Sequence, residues 1–189
     1  MINPLLADWS TPFQIAPFNA ISDDDFAPAL DEALAAHDAE IAAIAQNVSP
    51  ASFENVVGAL ESAGGALDKV LSVFFTVAGA DSNSAREELQ RDFSPKLAAH
   101  FSRITANKAL FQRVQDVWAN RDVLNLTDEQ TRVLMLTHRG FVRAGAALTG
   151  VEDTRMAEIK SRLAELGTSF TQNLLADERS WFMELGETD

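Results

Sequence analysis

The sequence predicts an all-α fold: an extended amino-terminal arm over residues 1–21, then about six helices in an antiparallel bundle over residues 22–189, with no sheet. Three observations carry this. No segment alternates apolar and polar residues with the period of two that a half-buried strand requires. Apolar side chains recur instead at steps of three and four, most regularly at Met156, Ile159, Leu163, Leu166 and Phe170, the spacing that lays them along one stripe of a helix. Hydroxyl-bearing and acidic residues stand where such runs begin, and proline or glycine stands between several of them.

The arm comes first. Pro4, Pro12 and Pro17 each remove a donor and bias the preceding residue toward extended backbone. Trp9 and the Pro-Phe pairs at Pro12–Phe13 and Pro17–Phe18 read as anchors pressing the arm onto its own helices, in preference to a binding loop. Ser22 before Asp23, Asp24 and Asp25 is a helix start, a capping hydroxyl followed by carboxylates at the positive end of the macrodipole. Ala29, Leu30, Ala33, Leu34, Ile41 and Ile44 then face the core, to about Gln46. The three aspartates lack the alternating ligands, central Gly and distal Glu of a calcium loop.

Pro50 interrupts the chain and Ser52 caps a second helix, expected to run from Phe53 to about Ala80 on Val56, Val57, Leu60, Leu67, Val70, Leu71, Phe74 and Phe75. Gly64 and Gly65 within it imply either a kink or the close approach of a neighbour. A third helix starts near Ser84, after the turn at Asp81–Asn83, with Leu89, Phe93, Leu97, His100, Phe101 and Ile104 on one side and a bend expected at Pro95. A shorter helix after Asn107 carries Leu110, Phe111, Val114, Val117 and Trp118 to about Asn120. Thr127 and Gln130 form a capping box that opens a helix with Leu134, Phe141 and Leu148 seven apart, expected to end near Gly150. The last helix runs from Val151 to Leu185, its seam extended by Leu174, Trp181 and Leu185, before Gly186–Asp189 as the beginning of a linker.

Composition narrows function. With 28 acidic against 15 basic residues the formal charge is −13, which repels nucleic-acid phosphates and anionic membrane surfaces. No cysteine is present, so neither disulfides nor thiolate metal sites arise, as suits a reducing cytoplasm. Met1–Ala7 lacks the basic and apolar regions of a signal peptide, and Val70–Ala80, the longest apolar stretch, is too short to span a bilayer. The expected location is cytoplasmic.

Catalytic chemistry needs converging groups, and few are visible. His37, His100 and His138 include no His-x-x-x-His pair for zinc, and His37 with Glu40 is a single pair, short of a di-iron set. Each histidine reads as structural or exposed. There is no Gly-x-Ser-x-Gly elbow, and serines at helix starts are explained by capping. Arg132, Arg139 and Arg143 share one helix side, a geometry that holds a carboxylate or, more simply, a solvated face that answers the chain's acid. No residue is assigned a catalytic, cofactor-binding or metal-binding role.

Seven stretches in order, Asn3–Leu6 (NPLL), Trp9–Phe13 (WSTPF), Pro17–Ile21 (PFNAI), Ser52–Asn83, Ser94–Val114, His138–Leu148 and Leu163–Glu178, together give a pattern that resembles the amino-terminal part of the thimet oligopeptidase family of zinc metallopeptidases, in its bacterial peptidyl-dipeptidase and oligopeptidase A branch. The resemblance implies a much longer, largely helical parent with two lobes around a deep channel that admits short peptides. It implies a zinc held by His-Glu-x-x-His and a further Glu in the carboxy-terminal part, where the metal-bound water attacks the scissile carbonyl and the motif Glu is general base. That motif is absent here, so zinc is expected only in the parent and this chain is expected to be inactive alone. Its expected partners are the carboxy-terminal catalytic part and short peptide substrates, with self-association of the isolated chain. A free-standing acidic helical adaptor and a catalytically dead peptide-binding relative are the alternatives.

Overall fold

Helix α1 (Asp23–Gln46) is the axis of the architecture. The backbone N–H and Oγ of Ser22 both donate to Asp25 Oδ2 at 2.7 Å, closing its first turn. Its apolar stripe buries Phe26, Ala29, Leu30 and Ala33 in one hydrophobic cluster and Ile41 and Ile44 in a second, with buried His37 between them. The computed structural model describes residues 2–180, and the fold is all-α, with no strand among them. Two compact units divide the chain, Met1–Ala146 and Ala147–Asp189.

The expected single helix from Phe53 to Ala80 is corrected. A π-helical turn at Phe53–Gly58 leads into α2 (Ala59–Ser62), and α3 (Gly65–Ala80) follows only after a break. Ala63 is extended at ψ 153° and Gly64 is left-handed at φ 80°, a conformation that glycine alone adopts without strain. A Cβ on Gly64 would lie 3.1 Å from the His37 ring. Kink and close approach, alternatives in the sequence, therefore coincide at one residue. By length and composition alone residues 53–80 would suffice to cross a membrane. The break at Gly64 divides them, however, and Val56, Val57, Leu67, Val70, Val73 and Phe74 are buried in the two clusters.

Helix α3 returns antiparallel to α1: its first turn meets Glu40 of α1, while Arg86 bridges Asp81, just beyond its end, to Asp23 at the start of α1. Helix α4 (Ser84–Ala106) is capped by Asn83 Oδ1, which accepts from the Arg86 N–H at 2.8 Å, and continues through Pro95. It runs parallel to α1, as a ladder of pairs demonstrates: Asp23–Arg86 at 2.7 Å, Asp31–Lys96 at 2.7 Å and Asp38–Arg103 at 2.9 Å. The two exposed pairs, Asp31–Lys96 and Asp38–Arg103, contribute about 0–1 kcal/mol each, so their effect is mainly to fix register. Phe93 packs α4 against α3, 4.7 Å from Phe74 between ring centroids.

Helix α5 (Lys108–Ala119) places Leu110, Val114 and Val117 in the second cluster. Arg113 reaches from it to the Asn47 and Ser49 carbonyls and to Asn55 Oδ1, tying down the loop after α1. The capping box that opens α6 (Asp128–Arg143) is observed: Thr127 Oγ1 accepts from Gln130 N–H at 3.2 Å and Gln130 Oε1 from Thr127 N–H at 3.0 Å. Its end is corrected from Gly150 to Arg143. Gly145 at φ 95° donates to the Val142 carbonyl and Ala146 donates to that of Phe141, the Schellman pattern, with Ala146 and Phe141 both buried. Gly145, ahead of Gly150, is therefore the glycine that ends α6.

The arm is a second correction. Leu5 and Ala16 are its buried residues, and Trp9 packs partly against the first cluster beneath Lys69 Nζ, 4.1 Å from its ring. Phe13 is 97% exposed and Phe18 46%, so neither is an anchor. Short 3-10 turns at Pro12–Gln14 and Phe18–Ala20 interrupt the extended path, and positive φ at Phe13 and Gln14 leaves Phe13 facing solvent.

In the second unit, α7 (Val151–Ser180) is one continuous helix. Ile159, Leu163, Leu166, Phe170 and Leu174 of its seam are exposed. Trp181, Leu185 and Gly186–Asp189 lie outside the described residues.

Candidate functional site

Spacing of four residues from Ala33 and from Ile41 puts His37 on the buried stripe of α1, and the parallel register brings His100 of α4 against it. His100 Nε2 lies 3.0 Å from His37 Nδ1, with ring centroids 4.9 Å apart. His100 is fully buried and His37 nearly so. The two rings fill the gap between the two hydrophobic clusters.

A small polar shell surrounds them. His100 Nδ1 lies 3.3 Å from both Asp38 Oδ1 and Arg103 Nη2. Arg103 in turn donates to Asp38 Oδ2 at 2.9 Å. Glu40, which sequence paired with His37, turns instead to the Gly64 N–H at 2.7 Å. The bare Cα of Gly64 lies against the His37 ring. Burial pushes the His100 imidazole below its ordinary range; the His37 and Arg103 charges act in the same direction and Asp38 opposes them.

The third histidine stands apart. His138 of α6 lies 2.7 Å from Gln115 Oε1 and stacks on Trp118, with centroids 4.6 Å apart and planes 8° from parallel. Arg121 covers the same indole at 4.4 Å. Burial, then Arg121, depresses the His138 pKa. Arg132, Arg139 and Arg143 are exposed along α6, the solvated face that the sequence favoured. Asp23 is held by Asn83 and Arg86, whose hydrogen bonds lower its pKa, so the aspartate run serves capping and helix pairing.

Chemically, the His37–His100 pair can share one hydrogen and join two helices. It does not suit the zinc that the resemblance implies for the parent: the facing nitrogens are hydrogen-bonded to each other, and among the described residues no three His, Asp or Glu groups are arranged so that they could hold a metal ion. Sequence reasoning named both histidines but could not bring them together, because their meeting depends on the parallel packing of α1 and α4, between which α2 and α3 intervene in the chain. The one available signal was Gly64, which marks close approach.

No family model matches the chain. It is 38% identical to dipeptidyl carboxypeptidase of Salmonella typhimurium (strain LT2) over 178 residues, which is 94% of this chain and 26% of that protein. It is 36% identical to dipeptidyl carboxypeptidase of Escherichia coli (strain K12) over 179 residues, 95% of this chain and 26% of that protein. Oligopeptidase A of Salmonella typhimurium is 26% identical over 181 residues, 96% of the chain and 26% of the relative. The chain thus spans about a quarter of the length of the curated relatives it matches. These matches bear out the resemblance to the amino-terminal region of the thimet oligopeptidase family.

Proposed function

We propose that this chain is the helical amino-terminal domain of a longer zinc-dependent, peptidyl-dipeptidase-like oligopeptidase of the cytoplasm, where it forms part of the wall of a channel admitting short peptides. The observation that carries the reading is the pairing of coverages: the dipeptidyl carboxypeptidase relatives match 94–95% of this chain with only 26% of their own length. The polar groups here support a scaffolding role, since His37, His100, His138 and Asp23 are each engaged with neighbouring side chains. Zinc, the general base and the remaining channel wall belong in this reading to the rest of the parent.

The experiment has two arms. The pure 189-residue chain is expected to leave a short fluorogenic peptide uncut, with or without added zinc. Grafted in place of the matching quarter of the Escherichia coli relative, it is expected to give a chimera with chelator-sensitive hydrolysis. Chelator-sensitive turnover by the chain alone, or a folded zinc-loaded chimera with no turnover, overturns the proposal.

The exposed apolar seam of α7 favours a second reading, an acidic helical adaptor that receives a partner helix along that stripe. Saturable binding of an amphipathic peptide by the pure chain, lost on replacing Leu163 and Phe170 with Ser, would favour it over the peptidase domain.

A further inference from the structure

We propose that the His37–His100 contact is an acid-labile latch that holds α1, α4 and the turn at Gly64 together and releases that turn when both rings are protonated. The geometry carries the argument. An N···N separation of 3.0 Å is a hydrogen bond, with one hydrogen between His100 Nε2 and His37 Nδ1. One nitrogen donates and the other accepts, so at least one of the facing nitrogens must lack a proton. A pair with both rings protonated has a hydrogen on each facing nitrogen, and two cations within a buried gap.

The shell tolerates one added proton and opposes two. With one added proton on the pair, one facing nitrogen still lacks a hydrogen and the contact survives, with Asp38 Oδ1 3.3 Å from His100 Nδ1. A second proton must go to that remaining facing nitrogen, where it breaks the contact. The charged groups facing the pair are Asp38 from α1 and Arg103 from α4, already joined at 2.9 Å, so Arg103 offsets the carboxylate that would shield a second positive charge. Glu40 from α1 is engaged by the Gly64 N–H at 2.7 Å. The segment between α2 and α3 brings Gly64 against the His37 ring. Loss of the ring contact therefore removes the surface on which the Gly64 turn rests.

The sign follows from proton counts. His100 has its pKa lowered from the ordinary 6.5, so the folded state binds fewer protons than the unfolded state as pH falls through that value. The latch is intact above about pH 6.5 and its stabilisation is lost below it, by about tenfold in the folded-to-unfolded ratio per pH unit for each proton withheld.

Isosteric replacements isolate the effect: Asn mimics Nδ1 of His37 and Gln mimics Nε2 of His100. The double variant His37→Asn with His100→Gln keeps a neutral hydrogen bond without a titrating group. In urea unfolding of the full chain between pH 8 and pH 5, the natural protein is expected to lose stability progressively below about pH 6.5, and the double variant to show a shallower loss. The protection factor of the Gly64 amide, its exchange rate referred to the intrinsic rate at each pH, should fall on acidification in the natural chain only. Equal pH dependence in both proteins overturns the latch. If the double variant does not fold, imidazole ¹⁵N shifts of the natural protein decide: retention of one unprotonated facing nitrogen while the fold persists supports it, and two fully protonated rings in an intact fold overturn it.

Discussion

Gly64 illustrates how a single residue sets the local path of the chain. Its φ of 80° and the His37 ring 3.1 Å from where a Cβ would sit leave no room for a side chain without a shift of the imidazole. Gly64→Ala is expected to destabilise the protein by about 1–3 kcal/mol, the range for a side chain forced into left-handed backbone, measured as a lower urea midpoint. Gly65, whose added Cβ would meet nothing within 4 Å, is the control, and Gly65→Ala should be tolerated. Equal losses at both positions would contradict the assignment of close approach to Gly64 alone. The adjacent glycines announced an interruption in the sequence. Which of the two turns the chain is decided by Glu40, whose carboxylate accepts the Gly64 N–H.

At the scale of elements, helix starts were more legible than helix ends. Thr127 with Gln130 and Ser22 with Asp25 satisfy the first backbone donors from side chains three residues apart, a local pattern that can be read directly. Thr127→Ala is expected to cost about 1 kcal/mol and to fray the first turn of α6, visible as faster amide exchange at Gln130 and Thr131. Unchanged exchange there would remove the cap from the account. The end of α6 was misplaced because Gly145 and Gly150 both offered a stop, and what selects Gly145 is that it seats Ala146 beside Phe141 in the second cluster. Arg113 carries no such local signal. Its value lies in carbonyls of the loop after α1, which become its neighbours only after folding.

For the whole molecule, apolar exposure is the property with solution consequences. Leu163 is 63% exposed and Phe170 70%, on a helix whose seam repeats at the spacing that favours pairing with another helix. The pure chain is expected to self-associate through α7 as concentration rises, in spite of its charge of −13, and Leu163→Ser with Phe170→Ser should return it to monomer. Light scattering that finds a strict monomer at high concentration, with no binding of a hydrophobic dye, contradicts this.

The all-helical class, the extent of α1, the beginnings of α4, α5 and α6 and the homology to bacterial peptidases were determined by the sequence alone, because periodicity, capping and ordered motifs are properties of neighbouring residues. Tertiary structure decided the break at Gly64, the exposure of Phe13, the end of α6 and the parallel ladder between α1 and α4. It also brought together His37 and His100, 63 positions apart. No local pattern encodes that meeting: it follows from the turn that sends α3 back along α1 and the next that returns α4 in register, which leaves two imidazoles as each other's available hydrogen-bond partners in the gap between two hydrophobic clusters.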